Sequence, residues 1–260
     1  SRLFPLLFAL IIFVFNNSKK YVVLSLFVFI ASDVLIFISG ERTAFALLFL
    51  STLLIICSIK KWQKIRIITF VVSLLVICML ALLNSNVSQR MITQTFDQIN
   101  PNNEEVYIFS KQHESHYIAS LEMFSDSYLI GVGPNNFRKK CSSFNDNAHE
   151  SDFGKNLACS THPHNSYIQL LAETGIIGTL PIIISLIYIS FLILNHLFKK
   201  FFLKKELFSD FQVCLLIAVF ITLWPFIPTM NLFNNWISII YYLPLGFLIY
   251  SFDVNQKITT

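Results

Sequence analysis

Charged side chains are scarce in this sequence: they make up only 13% of its 260 residues, whereas hydrophobic residues make up 55%. A soluble domain of this length carries about twice that charge, so the composition excludes an ordinary soluble globular protein. Regular alternation of polar and apolar residues is also lacking, which disfavours a closed β-barrel. Continuous apolar runs and a mean hydropathy of +0.63 instead predict a polytopic, all-α transmembrane helix bundle.

The sequence also lacks an initiating methionine, and neither a charged leader nor a small-residue cleavage site precedes its first apolar run. We therefore expect it to be the later part of a longer protein. The apolar runs predict about seven membrane spans, each of them a hydrophobic helix. These candidate spans are 3–15, 21–38, 43–59, 65–83, 167–194, 211–226 and 236–252.

Lysine and arginine residues cluster in alternate short loops, around 19–20, 60–66 and 199–205. By the positive-inside rule these loops lie in the cytoplasm, and the remaining loops lie outside. This orientation predicts three parts of the chain. They are N-terminal transmembrane helices at 1–83, a periplasmic loop at 84–166 and C-terminal transmembrane helices at 167–260.

The predicted periplasmic loop is too long to be a passive connector. Its part from 87 to 124 is mostly polar, with apolar residues at helical spacing, which predicts amphipathic helices lying over the membrane surface. Gly131, Gly133 and Pro134 then predict a turn. The stretch from Cys141 to Cys159 is rich in Asn, Asp and Ser and is expected to be irregular.

Two cysteines lie in this loop, where an oxidising periplasm permits a disulfide between Cys141 and Cys159. Such a bond would restrain the segment that leads into residues 162–165. A zinc site formed by Cys141, His149, Cys159 and His162 is the alternative. The spacing matches no compact zinc pattern, so we favour the disulfide and expect no metal.

The most informative stretch is His162-Pro163-His164-Asn165, which directly precedes a long apolar run. Ionisable groups at a membrane boundary are costly and usually functional. His164 has an ordinary pKa close to neutrality, so it is a natural proton acceptor. We therefore expect this stretch to be the centre of any chemistry that the chain performs.

Several stretches together resemble the O-antigen ligase and O-antigen polymerase family. The first is His164-Asn165 followed by Gly175 and Gly178, and the others span nearly the whole chain in order. They are Ser-Gly-Glu-Arg-Thr at 39–43, the segment 121–137 with its Gly-Val-Gly-Pro turn, and 224–236 with the final span. Each stretch alone is a weak signal, but their common order and topology make the resemblance strong.

The resemblance implies a metal-independent glycosyltransferase of all-helical fold, without a cofactor, in the bacterial inner membrane with its active site facing the periplasm. A ligase transfers a glycan from undecaprenyl pyrophosphate to the lipid A core, whereas a polymerase joins repeat units on the same carrier. We lean towards a ligase, because the compact signature from His164 to Gly178 resembles that branch. The expected partners are the lipid-linked donor, the acceptor and membrane lipids, with no nucleic acid.

These residues suit that chemistry. His164 is the candidate general base, and Asn165 is expected to orient its imidazole or a sugar hydroxyl. Guanidinium groups match phosphate oxygens, so Arg42, Arg90 and Arg138 are candidates for binding the diphosphate. The further substrate-binding candidates are His113, which stands about where family members often carry an arginine, His162, and Glu173, which would pair with an arginine or lock a helix.

Each candidate also has a structural interpretation. An interfacial arginine often only contacts lipid phosphates, and for Arg90 we give this interpretation the same weight as diphosphate binding. Arg138 with its two following lysines is interpreted as a solvated patch. His162 would cap the following helix or hydrogen-bond the loop. We interpret the remaining loop histidines as surface residues; they are His113, His116 and His149.

Two other classes of protein compete with the enzyme. A transporter or flippase of lipid-linked sugars would need ionisable residues deep within the spans and inverted repeats. Asp33 is the one carboxylate deep within a predicted span, and no repeat is evident. A purely structural scaffold gives no reason for grouping histidines and arginines at one face. The one-sided placement of these residues favours the enzyme.

Overall fold

The computed structural model describes residues 1–15, 20–60, 62–99, 109, 111–144 and 159–259. Within these residues the chain is all-helical. The helices are α1 (Phe4–Phe15), α2 (Lys20–Ile38), α3 (Arg42–Ser58), α4 (Gln63–Leu83), α5 (Ser85–Ser88), a π-helix (Gln89–Thr93), α6 (Gln94–Ile99), α7 (Lys111–Asp126), α8 (Phe137–Lys140), a 3-10 turn (Cys141–Ser143), α9 (Ser166–Phe202), α10 (Asp210–Thr222) and α11 (Asn235–Thr259).

The prediction of an all-α membrane protein agrees with these helices. Within the described ranges, three helical segments are long and apolar enough to cross a bilayer, namely Gln63–Leu83, Ser166–Phe202 and Asn235–Asp253. Four shorter apolar helices coincide with the other predicted spans, at Phe4–Val14, Val23–Ile38, Arg42–Ser58 and Asp210–Thr222. The count of seven spans and the periplasmic side of the loop therefore stay predictions.

The chain forms two compact units. The larger contains 1–95, 188–223 and 240–260, and the smaller contains 96–187 and 224–239. In the larger unit, α10 packs against α1 and α3, and α4 packs against α2 and α3. Helix α10 is apolar around most of its circumference and is almost completely buried, as expected of such a helix. Ser209 and Gln212 begin it with a reciprocal capping box.

A buried ion pair joins α2 to α4 in the larger unit. Asp33 accepts two hydrogen bonds from the Arg66 guanidinium, at 2.8 Å and 2.9 Å, and both side chains are at most 1% exposed. Arg66 also donates to Thr52, and the Ser73 hydroxyl donates to Asp33 at 2.8 Å. The sequence interpretation counted Arg66 with a cytoplasmic basic loop. That was wrong, because Arg66 lies in α4 and its guanidinium is buried against Asp33.

Asp33→Ala is expected to lower the free energy of unfolding by about 3–5 kcal/mol, because it leaves the Arg66 charge buried without its partner. The double variant Asp33→Ala/Arg66→Met removes both charges and should recover most of this loss. The measurement is thermal unfolding of the detergent-solubilised protein. Equal destabilisation of the single and double variants would contradict the pairing.

In the smaller unit, α9 is interrupted at Gly175, where φ is 63° and ψ is −163°. Backbone hydrogen bonds to the segment 128–133 hold the two halves of the interrupted helix. On one side of the break, Val132 and Gly133 donate to the carbonyls of Ala172 and Glu173, each at 2.9 Å. On the other side, the amides of residues 176 and 177 donate to the carbonyls of residues 128 and 129, at 2.9 Å and 3.2 Å. The predicted turn at 131–137, with the residues directly before it, thereby pairs the backbone groups that the interruption of α9 leaves without helical partners.

Two glycines allow this close approach. A Cβ at Gly175 would lie 2.3 Å from the Leu129 carbonyl, and one at Gly131 would lie 2.4 Å from the backbone of Glu173. Both glycines have positive φ, a conformation that glycine adopts without steric cost. Their role here is backbone packing between the turn and α9.

A small core stabilises the region after this turn. It contains Met123, Phe137, Cys141 and Ala172, all at most 1% exposed. Cys141 is joined to Cys159 by a disulfide with Cα atoms 5.3 Å apart. Cys159 comes three residues before His162, so the bond anchors the start of the candidate site. His149, the remaining ligand of the zinc alternative, lies outside the described residues.

Candidate functional site

Thr229 holds the stretch from His162 to Ser166 in place. Its amide donates to the His164 carbonyl at 2.6 Å, and its own carbonyl accepts from His162 Nε2 at 3.2 Å. Its hydroxyl is 2.8 Å from that of Ser166. His164 itself has a φ of 59°, a left-handed conformation that is uncommon for a residue with a side chain. The His164 backbone is therefore fixed from several directions.

Asn165 begins α9 as its N-cap. Its Oδ1 accepts from the amides of Tyr167 at 2.9 Å and Ile168 at 3.1 Å, and its Nδ2 donates to the Pro225 carbonyl at 2.8 Å. The side chain is buried, and these bonds occupy both of its ends. Asn165 thus positions the residue before it and connects α9 to the segment 224–239.

Histidine rings surround His164. The ring centroids of His162, His113 and His116 lie 4.1 Å, 5.3 Å and 5.5 Å from that of His164. His113 and His116 are three residues apart on α7 and so lie on the same face of that helix. Tyr117 stacks on His113 with ring centroids 6.4 Å apart. The two histidine pairs, distant in sequence, form one cluster in the smaller unit.

The interpretation of His116 as a surface residue was wrong. Its side chain is fully buried, and neither ring nitrogen has a hydrogen-bond partner in the described part of the chain. His113 is half-buried. The signal that sequence reasoning overlooked was the spacing of His113, His116 and Tyr117, which places all three on one helix face. Thr229, in contrast, carried no recognisable signal.

Burial keeps this cluster uncharged. It lowers the pKa of His164 below its ordinary value, because the charged imidazole loses solvation. The pKa values of His113 and His162 are lowered first by burial and next by charge on His164. The pKa of His116 falls to about 4 for the same reasons. Charge on His164 therefore opposes protonation of its three neighbours.

The protein is expected to lose stability as the pH falls from about 6.5 towards 4. Each of these histidines has a lower pKa when folded, so the unfolded chain binds more protons across this range. The stabilisation is complete above the unfolded pKa, and His116 alone accounts for about 3 kcal/mol of it. The measurement is the Tm of the detergent-solubilised protein at pH 4.5, 5.5, 6.5 and 7.5. A Tm that stays constant or rises on acidification would contradict this.

Glu173 is buried and its carboxylate connects α9 to the start of α8. One carboxylate oxygen accepts from the Phe137 amide at 2.7 Å, and the other accepts from Gln169 Nε2 at 3.0 Å. Gln169 also donates to Asn231 Oδ1 at 2.7 Å. These contacts correspond to the helix-locking alternative for Glu173. Arg138 follows Phe137 on α8 and is exposed.

Two arginines link the start of α3 to the segment 89–95 in the larger unit. Arg90 lies in the π-helix and pairs with Glu41 at 3.1 Å, and a Cβ at Gly40 would lie only 2.8 Å from its Cδ. Arg42 Nη1 donates to the Gln94 carbonyl at 3.3 Å and to Thr95 Oγ1 at 3.4 Å. Both arginines thus connect the start of α3 to the π-helix and the residues after it, and π-helical segments are frequent at functional sites.

The candidate residues therefore fall into two groups. His113, His162, His164 and Asn165 come together in the smaller unit, which also contains Glu173 and Arg138. Arg42 and Arg90 come together in the larger unit. Across the described ranges, no group of three or more His, Cys, Asp or Glu side chains is arranged to hold a metal ion.

Comparison with known proteins adds a family match. The family model described as O-antigen ligase matches residues 23–183, which is more than half of the chain. The matched range includes Arg42, Arg90 and the histidine cluster. No curated protein matches the chain, and no solved structure matches it.

Proposed function

Because this chain belongs to the O-antigen ligase family, whose members are glycosyltransferase-like enzymes acting on lipid-linked glycans and acceptors, we propose that it is a ligase. The donor is a glycan on undecaprenyl pyrophosphate, and the acceptor is a hydroxyl of the lipid A core. The reaction takes place at the periplasmic face of the inner membrane. The observation that carries this proposal is the uncharged histidine cluster centred on His164.

His164 is the proposed general base. It takes the proton of the acceptor hydroxyl while the hydroxyl oxygen attacks the anomeric carbon of the donor. The new glycosidic bond forms as the bond to the diphosphate breaks, and undecaprenyl pyrophosphate leaves with its electron pair. The lowered pKa of His164 supports this role, because a base must be unprotonated to accept. Thr229 and Asn165 support it by fixing the backbone on either side.

Arg42 and Arg90 are the proposed diphosphate ligands. Their contacts between the start of α3 and the segment 89–95 support this, because two guanidinium groups can neutralise the charge that develops on a leaving diphosphate. Arg138, His113 and His162 are further candidates for contact with substrate. The buried contacts of Glu173 support a positioning role for that residue. No cofactor or metal is required by this mechanism.

A polymerase is the alternative within the same family. It would use the same donor chemistry with a second lipid-linked repeat unit as the acceptor. A transporter or flippase of lipid-linked glycan is the alternative from a different class. The pairing of Asp33 with Arg66 disfavours that class, because the one carboxylate deep within a predicted span is already paired with the Arg66 guanidinium.

The full-length protein is expected to restore glycan on lipid A core in a ligase-deficient Gram-negative host, as seen on a lipopolysaccharide gel. The variants Arg42→Ala and His164→Ala should not restore it at equal protein levels. Restoration only in a polymerase-deficient host would favour the polymerase. Restoration by both variants would contradict the proposed site, although the family membership would be unaffected.

A further inference from the structure

A general base requires a group that orients it and stabilises the positive charge that it acquires. In serine hydrolases a carboxylate has this role. In the described part of this chain, the side chains whose rings contact His164 are three histidines. The orienting group for His164 therefore has to be sought among His113, His116 and His162.

The hydrogen bonds of His162 exclude it. The Thr229 carbonyl can only accept, so His162 Nε2 carries the proton and donates to it. His162 Nδ1 then has to accept from the Thr161 hydroxyl, 2.9 Å away. Both ring nitrogens are committed. His113 is half-buried, stacks on Tyr117 and is within reach of solvent.

His116 differs from both. It is fully buried, its ring centroid is 5.5 Å from that of His164, and both of its ring nitrogens are without a partner in the described residues. A buried imidazole leaves two polar atoms unsatisfied only at a cost, and such groups usually have a role in binding or catalysis. The exposed Ser125 on the same helix, whose hydroxyl donates to the Glu122 carbonyl, provides a comparison for the experiment.

We propose that His116 is the positioning residue for His164, accepting a hydrogen bond from the N–H that His164 acquires when it takes the proton of the acceptor hydroxyl. The neutral imidazole of His116 thereby stabilises the imidazolium of His164 and keeps its ring in place. This inference rests on the proposed function only for the identity of the reaction. The contact between the two rings can be tested without glycan transfer.

The protonation order of the cluster agrees with this assignment. His116 has the pKa of about 4, so it stays uncharged across the working pH range and keeps a lone pair available. Charge on His164 lowers that pKa further, so the two rings are not protonated together. The titratable groups that contact His164 from α7 are His113 and His116, and His162 contacts it from its own segment. Protonation of His164 therefore disfavours protonation of the three rings around it.

The experiment compares His116→Phe, His116→Gln and Ser125→Ala in the full-length protein in membranes. His116→Phe retains an aromatic ring but has no acceptor, and it should lower kcat by roughly 10- to 100-fold with little change in KM. His116→Gln offers an acceptor oxygen and should recover part of this loss. Ser125→Ala, on the exposed face of the same helix, should stay within about 3-fold of the wild type. Wild-type kcat in both His116 variants would overturn the proposal.

A second measurement keeps the test independent of activity and of the proposed function. Diethyl pyrocarbonate modification of His164, followed by peptide mass spectrometry against pH, reports the pKa of that residue. His116→Phe and His116→Gln should differ, with the His164 midpoint lower in His116→Phe by about 0.5–1 unit, because the charged form loses its acceptor. An unchanged midpoint would overturn the proposal. If transfer fails in all proteins but the midpoint shifts, the pairing stands and the proposed reaction is wrong.

Discussion

His164→Asn is expected to lower the rate of glycan transfer by about 10²- to 10⁴-fold, which is the usual contribution of general acid–base catalysis. Asparagine is the sharpest replacement, because it tolerates the left-handed backbone at this position but cannot act as a base. The loss should appear mainly in kcat. The measurement is transfer from a defined lipid-linked donor to a purified acceptor by the full-length enzyme.

The pH profile of the wild-type enzyme provides a second check on the same residue. Because burial lowers the pKa of His164, the unprotonated base persists below pH 6.5, and the acid limb of the kcat profile should lie below that value. A fully active His164→Asn protein with an unchanged profile would show that His164 is not the base. The wild-type and variant proteins must have equal abundance and equal Tm for the comparison to hold.

Gly175→Ala is expected to lower the free energy of unfolding by about 5 kcal/mol or more. The backbone conformation there costs an alanine about 1–3 kcal/mol. The new methyl group would also overlap the Leu129 backbone, at 2.3 Å. It would separate α9 from the segment 128–133 and break the four hydrogen bonds between them. Each lost bond costs about 1 kcal/mol. The measurement is thermal unfolding of the detergent-solubilised protein, together with its yield in membranes.

Gly246→Ala is the matched control for this substitution. Gly246 lies in α11, and a Cβ there would meet no atom within 4 Å. Alanine at this site should be neutral or slightly stabilising, because it forms helix better than glycine by about 1 kcal/mol. Gly178→Ala should also be destabilising, because its Cβ would lie 2.4 Å from the Thr174 Cβ, which side-chain rotation cannot move. A Gly175→Ala protein as stable as Gly246→Ala would refute the steric argument.

The candidate site illustrates how far sequence reasoning reaches. The segment 162–165 was recognisable, because ionisable residues directly before an apolar run have few structural uses. The spacing of His113, His116 and Tyr117 showed that they share a helix face, but the burial of His116 was not recognisable, because the local sequence is the same whether that face meets solvent or a second segment. Its burial depends on the approach of residues 162–164, nearly 50 positions further along the chain.

The Arg66 error has the same origin. The residue stands close to Lys60 and Lys64, and its local charge density indicates a cytoplasmic loop. Its pairing with Asp33 requires α2 and α4 to pack at one particular rotation and depth. Hydropathy along a single segment contains no information about that rotation.

The sequence by itself determined the class of protein, the positions of the helices, the turn at 131–137 and the family. These follow from local properties, namely apolar length, the conformational freedom of glycine and the order of short motifs. Only the tertiary structure decided which distant residues come together. These contacts are the histidine cluster around His164, the hydrogen bonds of Thr229 to residues 162–166, the backbone bonds on either side of Gly175, and the buried pair of Asp33 with Arg66. Burial and hydrogen-bond partners are pairwise properties of segments distant in sequence, so they exist only once those segments have packed.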